Sequence, residues 1–386
     1  MADALPLSPD AAPGVASVVA FDPVAWVRPH VRALMPYTSA RDEYAGTARA
    51  ALDANENPYG HPAAGVDLAR YPDPHHRRLA RLLAARAGLT PEQVLVVNGS
   101  DEAIELLTRA GCRPGHDTVL TAPPTYGMYA VTATTHEVAV RAVPLLVPEF
   151  QPDVPALLAA ARATTARMLF LTSPNNPTGN LLAPAAVEAL LRGFDGMVVV
   201  DEAYHEFSGA PSWAARLAEF PNLVVLRTLS KAWGLAGLRV GALLADARLT
   251  ALLRRLKPPY NVSGLSQELA ARALADPAPM LDAVARIRAE RTRLTTALAA
   301  LPGVAAVLPS AANFLLVRLR GAARPVYEAL LTRGIVVRDR SREPGCADCL
   351  RVTVGTPAEN AALLAGLAAV IETEAHQLLP EGVSEC

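Results

Sequence analysis

Short apolar runs alternating with helical patterns through the middle of this 386-residue chain predict an α/β fold: a large, mostly parallel sheet covered by helices. Several of those runs end directly on polar clusters, the arrangement expected where the carboxyl ends of strands border a ligand crevice. Beyond about residue 275 the texture changes to a long Ala/Arg/Leu helical stretch and isolated strands, which reads as a second, smaller α+β unit. With 51% hydrophobic residues the chain can bury a core large enough for both.

Strands are predicted at 94–97, 119–121, 168–171, 198–200, 224–226 and 240–244, each a short run rich in β-branched or large apolar residues. An amphipathic helix over 102–110 follows Gly99-Ser100-Asp101. The second unit is predicted to hold a helix over 280–301, strands at 313–319, 335–338 and 350–354, and a last helix from 358 to about 378. The Pro/Ala-rich opening to about Val19 reads as disordered, and the stretch to residue 47 as an arm. The expected organisation is therefore a tail and arm (1–47), a large unit (48–275), and a small unit (276–386) against which the arm packs.

A formal net charge of -1, with arginines spread among nearly equal numbers of acids, argues against a nucleic-acid footprint. No stretch approaches the roughly 18 apolar residues of a membrane span, and the first 20 residues lack the basic start of a secretory signal. A soluble cytoplasmic protein is expected. Four cysteines make no disulfide framework in a chain of this length. Cys346 and Cys349 form a CxxC, but without two further ligands at zinc spacing they read as an incidental loop pair, and no metal is expected. His75-His76 reads as a solvated turn after Asp73-Pro74, since adjacent residues on a strand would point to opposite faces.

Only two of the 36 basic residues are lysines, Lys231 and Lys257. A chain that writes its positive charge as arginine keeps lysine where guanidinium cannot serve, and only the amine can lose its proton and condense with a carbonyl. For Lys257, beside Pro258 and Pro259, compositional drift is the favoured explanation. Lys231 lies among the polar strand ends. Asp201 closes a buried apolar strand, where a carboxylate needs a cation, a metal or a proton. Gly99-Ser100-Asp101 opens a helix whose free N–H groups suit a phosphate, although a plain N-cap is as good a reading of that segment alone. The run 198–202 also has the look of a nucleotide-hydrolase acidic strand, but no GxxxxGK[ST] phosphate loop occurs.

Asn176-Pro177-Thr178-Gly179, Asp201-Glu202-Ala203-Tyr204, Ser230-Lys231 and Arg239, in this order and spacing, resemble the fold-type I pyridoxal-phosphate aminotransferases, from about residue 28 to 371. The resemblance implies pyridoxal 5'-phosphate as cofactor and Lys231 as the catalytic amine that joins its aldehyde and later shuttles a proton. It implies that Asp201 pairs with the pyridine nitrogen, that Tyr204 and Asn176 bond the ring hydroxyl, and that Tyr126 stacks on the ring. Gly99, Ser100, Asp101, Thr228, Ser230 and Arg239 would cradle the phosphate. Tyr71, in Arg70-Tyr71-Pro72, would come from a neighbouring subunit, which implies a homodimer with shared sites.

Within that family, residues 52–60, 28–31 and 350–356 resemble histidinol-phosphate aminotransferases. Arg351 would hold the anionic end of the substrate and Arg338 would be a second phosphate donor, two guanidinium forks suiting a dianion better than one. Asn55 and Tyr59 would line the substrate side. Arg340 lies close enough in sequence to compete with Arg338 for that part. The implied reaction is amino transfer between L-histidinol phosphate and 2-oxoglutarate in histidine biosynthesis. The rival readings are an aromatic amino-acid aminotransferase, which needs Arg351 but not Arg338, and a phospho-amino-acid decarboxylase. A cofactor-sensing DNA-binding regulator would need an N-terminal helix-turn-helix, for which the Pro/Ala-rich opening is too short.

Overall fold

The computed structural model describes residues 21–35, 49–50, 52–61 and 68–377; the expected disordered opening, the second part of the arm, and Cys386 lie outside them. Two short helices, α1 (Pro23–Trp26) and α2 (Pro29–Arg32), come first. The side chain of Asp22 accepts from Val24 N and caps α1. Trp26 then packs against Gly111, where a Cβ would stand 2.1 Å from its ring, and its indole donates to Arg167 O at 2.8 Å. This described part of the arm therefore seals the large unit, not the small one, because Trp26, Val27 and Val31 join the core beneath the large sheet.

The large sheet is built from β1 (Val94–Val97), β2 (Thr118–Thr121), β3 (Ala139–Ala142), β4 (Ala166–Thr172), β5 (Met197–Asp201), β6 (Leu223–Thr228) and β7 (Gly241–Leu244). Their order is β1-β7-β6-β5-β4-β2-β3, parallel from β6 through β3, with β7 antiparallel to both of its neighbours. All six expected strands are present. The seventh, β3, was not expected, since the run Ala-Val-Arg-Ala on an exposed edge carries little apolar signal. Alternate residues of each central strand enter opposite cores: on β4, Met168 and Phe170 face one and Leu169 and Leu171 the other.

Helices α3 (Arg77–Ala87), α4 (Gly99–Gly111), α5 (Met128–Thr135), α6 (Val154–Arg162), α7 (Pro184–Gly193), α8 (Ala247–Leu256) and α9 (Gly264–Ala275) belong to this part of the chain. After Asp276 comes α10 (Ala278–Ala299), followed by β8 (Val304–Val307), β9 (Phe314–Leu319), α11 (Ala323–Thr332), β10 (Arg338–Asp339), β11 (Cys349–Thr353) and α12 (Pro357–Gln377). The four strands form an antiparallel sheet in the order β10-β11-β9-β8, with its own core of Leu294, Leu315, Val352 and their neighbours. The strand expected at 335–338 is only the two residues of β10. Ile335 N instead bonds Leu330 O and finishes the turn after α11.

Cys346, in the turn before β11, and Cys349, at the start of that strand, are fully buried in the core of the large unit, and burial pushes the Cys346 thiol up to about 12. One minor expectation needs correction. His76 follows the turn, yet it is 1% exposed, sits at φ 52 as the N-cap of α3, and is driven by burial down to about 3. Among the described residues no cluster of His, Cys, Asp or Glu is suited to a metal, and no helix is long and apolar enough to cross a membrane.

Candidate active site

The carboxyl ends of β4 and β5 are level, because Thr172 pairs in register with Asp201, and β6, where Leu226 faces Asp201, runs on to Thr228. Thr228 ends β6 opposite Gly241, and Gly241 also faces Val97 at the end of β1. A Cβ on Gly241 would lie 2.8 Å from Gly99 C and Ser100 N, so only glycine there lets the first turn of α4 settle on the sheet. Around this ledge lies a cavity of about 270 Å³. Its floor is Thr172, Asp201 and Thr228; its rim is Ser100, Asp101, Ser230 and Arg239; Tyr126, Asn176 and Tyr204 close it; and Lys231 projects into it.

Electrostatics divides the cavity into two ends. At the helix end, the positive pole of α4 meets Arg239, which is held in the left-handed conformation at φ 54. One Arg239 nitrogen donates to Ser230 Oγ at 3.4 Å and to Ala236 O at 3.1 Å, and the other stands 4.0 Å from Asp101 Oδ2. Gly99, at φ +71, passes directly under that guanidinium, where a Cβ would be 2.5 Å from it. Ser230 N donates to Thr228 Oγ1 at 3.1 Å, turning the chain so that Lys231 follows at the ledge.

At the opposite end, Asp201 is 3% exposed and accepts from Tyr129 Oη at 2.7 Å and from Ala203 N at 3.0 Å. Burial raises its carboxyl to about 6, against the pull of those two donors. Among the described residues no cation is salt-bridged to it, so a positive ring nitrogen placed in the cavity would complete its needs. Burial and then the Arg351 charge lower the pKa of the Lys231 amine, which favours the neutral, nucleophilic form. Lys231 Nζ is 5.8 Å from the ring centre of Tyr204, whose hydroxyl accepts from Asn176 Nδ2 at 3.4 Å and is pushed by burial up to about 12. The buried acid at one end, the electropositive helix end at the other and the amine between them are a set of groups that pyridoxal phosphate would fit.

Among the described residues none of the small sheet lines this cavity, Arg338 and Arg351 included; the sheet meets it through Asn176. Arg351, on β11, reaches across to donate to Asn176 Oδ1 and lies 5.4 Å from the ring centre of Phe314. Arg338 pairs in register with Arg351, so the two side chains share a face of the sheet. Arg340 is on that same face two residues later and is ion-paired with Glu343 at 3.0 Å; Arg338 has no such carboxylate among the described residues. Asn55, Tyr59 and Tyr71 do not line the cavity. Tyr59 is 93% exposed, Tyr71 is half exposed and stacks on Tyr260 at 4.5 Å, and Glu56 ties their segments together by accepting from Tyr71 N.

Sequence reasoning missed Tyr129, the hydroxyl that serves Asp201, and Thr172, which accepts or donates beside it at 2.8 Å. Tyr129 lies on α5, three residues beyond Tyr126. An aromatic at that helical spacing was the available signal. Tyr126 itself donates to Asp101 Oδ1 at 3.1 Å, which holds its ring edgewise at 84° to Tyr129.

A large, mostly parallel sheet, a lysine after its sixth strand, and a buried acid beside it define a fold-type I pyridoxal-phosphate enzyme. The chain belongs to the class I and II aminotransferase family, whose model matches residues 40–367. It is 47% identical to the histidinol-phosphate aminotransferase of Parabacteroides distasonis over 88% of this chain and 96% of that protein. The enzyme of the same name from Xylella fastidiosa is also 47% identical, over 88% and 95% of the two chains. Among solved structures, the Sinorhizobium meliloti histidinol-phosphate aminotransferase in complex with pyridoxal-5'-phosphate superposes with a TM-score of 0.74 at 28% identity, over 83% of this chain and 90% of that one.

Proposed function

We propose that this chain is a histidinol-phosphate aminotransferase, moving an amino group reversibly between L-histidinol phosphate and 2-oxoglutarate to give imidazole acetol phosphate and glutamate. The cofactor is pyridoxal 5'-phosphate, which when bound supplies an aldehyde to capture the amine and a protonated ring to accept electrons. Ser100, Asp101, Thr228, Ser230 and Arg239 hold its phosphate, with Gly99 allowing the close approach. Asp201, kept ionised by Tyr129 and the Ala203 N–H, keeps the ring nitrogen protonated. Tyr204 and Asn176 hold the ring hydroxyl, and Tyr126 covers the ring. The Lys231 amine would take the proton from the nitrogen-bearing carbon of the substrate and deliver it to the carbon on the other side of that nitrogen, a 1,3-transfer.

The observation that carries the substrate is the register of Arg338 with Arg351. Two guanidinium groups on one face suit a phosphate dianion by charge-assisted bonds, and Arg351 alone suits a carboxylate. Tyr71 would come from a partner subunit, while Asn55 and Tyr59 would line the substrate side; the exposure of Tyr59 and of Leu52, at 93% and 89%, supports a homodimer. On this reading the arm (1–47), large unit (48–275) and small unit (276–386) work as one cytoplasmic enzyme on small molecules, with no nucleic-acid or membrane partner.

The test is a donor panel with 2-oxoglutarate as acceptor, comparing histidinol phosphate, phenylalanine, tyrosine and threonine phosphate by keto product and carbon dioxide release. Histidinol phosphate should give the highest kcat/KM, with no carbon dioxide. Higher kcat/KM for phenylalanine or tyrosine, or carbon dioxide from threonine phosphate, would overturn the assignment.

A further inference from the structure

Lys257, the second of the two lysines, follows α8 and is 6% exposed. Its ammonium gathers four acceptors: Pro258 O and Asn261 Oδ1 at 2.8 Å, Pro259 O at 3.2 Å and Pro74 O at 3.3 Å. Those acceptors surround a single nitrogen. A planar guanidinium spreads its donors over three nitrogens and cannot converge on one point in this way. The geometry gives a reason for lysine here that compositional drift does not.

From this ammonium two lines of contact run outward. In one, Asn261 Nδ2 donates to Glu102 Oε2 at 2.6 Å, Asn261 O accepts from Asn98 Nδ2 at 2.6 Å, and Glu102 accepts from Asn98 N. Asn98 is the N-cap of α4, the helix whose first turn rims the cavity. In the other, Pro74 O fixes the segment that carries Tyr71, Gln267 Nε2 donates to Asp73 O at 3.3 Å, and Tyr260 stacks on the Tyr71 ring.

We infer that Lys257 is a positioning residue for the phosphate end of the cofactor site, clamping the 258–261 loop so that Asn261 and Glu102 set the pose of the α4 N-terminus. The inference rests on the pyridoxal-phosphate reading above. A phosphate held by backbone N–H groups at a helix end is sensitive to small rotations of that end, because each N–H must keep its direction to bond well. Glu102 cannot do this alone: without the lysine, the Asn261 side chain and three proline carbonyls lose their common anchor.

The experiment measures dissociation constants of pyridoxal 5'-phosphate and of pyridoxal, which lacks the phosphate, for cofactor-stripped wild type, Lys257→Met, Lys257→Arg and Asn261→Ala. Wild-type preference for the phosphorylated form, with borohydride labelling Lys231, tests the function reading separately. In Lys257→Met and Lys257→Arg that preference should narrow by about tenfold, the scale of one hydrogen bond to a charged group, while pyridoxal binding stays within about twofold. Asn261→Ala should narrow it likewise, and it keeps the test open should either lysine variant fail to fold. Equal weakening for both ligands would mean a general structural role and overturn the inference, as would an unchanged preference.

Discussion

Tyr129 Oη stands 2.7 Å from Asp201 Oδ2, and both groups are buried at the floor of the cavity, 0% and 3% exposed. The hydroxyl donates to the carboxylate and so favours its ionised form. Tyr129→Phe should therefore raise the Asp201 pKa further above about 6 and shift the acidic limb of the kcat profile upward. The check is a pH–rate profile of the variant from pH 5 to 9; an unmoved acidic limb would show that Tyr129 only packs.

The same carboxyl links stability to pH. Its folded pKa of about 6 lies above the ordinary 3.8, so the native state binds more protons than the unfolded chain between those values. Stability of the cofactor-stripped protein should fall as pH rises through that window and stay lower above it, by up to about 3 kcal/mol. Asp201→Asn should remove this penalty: its stripped form should melt above wild type at pH 7.5, with the gap closing towards pH 4. Turnover should nonetheless drop by several orders of magnitude, since the ring nitrogen loses its anionic partner. Melting curves that run parallel at all pH values, or near-normal turnover, would remove the role.

Lys231→Arg should abolish multiple turnover and the visible absorbance of the cofactor joined to its lysine, because guanidinium stays charged and does not condense. Mass spectrometry after borohydride reduction should find the label on Lys231 in wild type. A label on Lys257 would reverse the roles of the two lysines.

Arg338→Ala should lower kcat/KM for histidinol phosphate by about 2–4 kcal/mol and affect an aromatic amino acid far less. Arg351→Ala should damage every donor, since phosphate and carboxylate would use the same fork. Arg340→Ala, whose guanidinium is taken up by Glu343, is the control. Equal losses for phosphorylated and unphosphorylated donors in Arg338→Ala would defeat the two-arginine clamp.

Tyr71→Phe tests the shared site. Cofactor retention should weaken while borohydride labelling of Lys231 persists, and sedimentation should show a dimer at working concentration. A fully active monomer would exclude a contribution from a second subunit.

The sheet strands and the residues at their ends were legible because the signal is local: an apolar run stopped by Asp201, by Thr228 or by Asn98-Gly99 marks a strand end whatever else the chain does. Edge strands β3 and β8 were not, because their pairing depends on contacts with a neighbouring strand rather than on their own apolar pattern, and the strand expected at 335–338 shrank to β10. The order Asn176, Asp201, Lys231 and Arg239 could likewise be read as a family pattern. Tertiary structure alone decided that Tyr129 serves Asp201 across 72 positions, that Arg351 crosses 175 positions to Asn176, and that His76 is buried. It also decided that Lys257 gathers carbonyls from both sides of the chain, including Pro74 from 183 positions away. Local sequence sets which backbone pattern a segment favours; which side chain meets a buried charge is set by packing between elements, where an unpartnered carboxylate or ammonium would be too costly to keep.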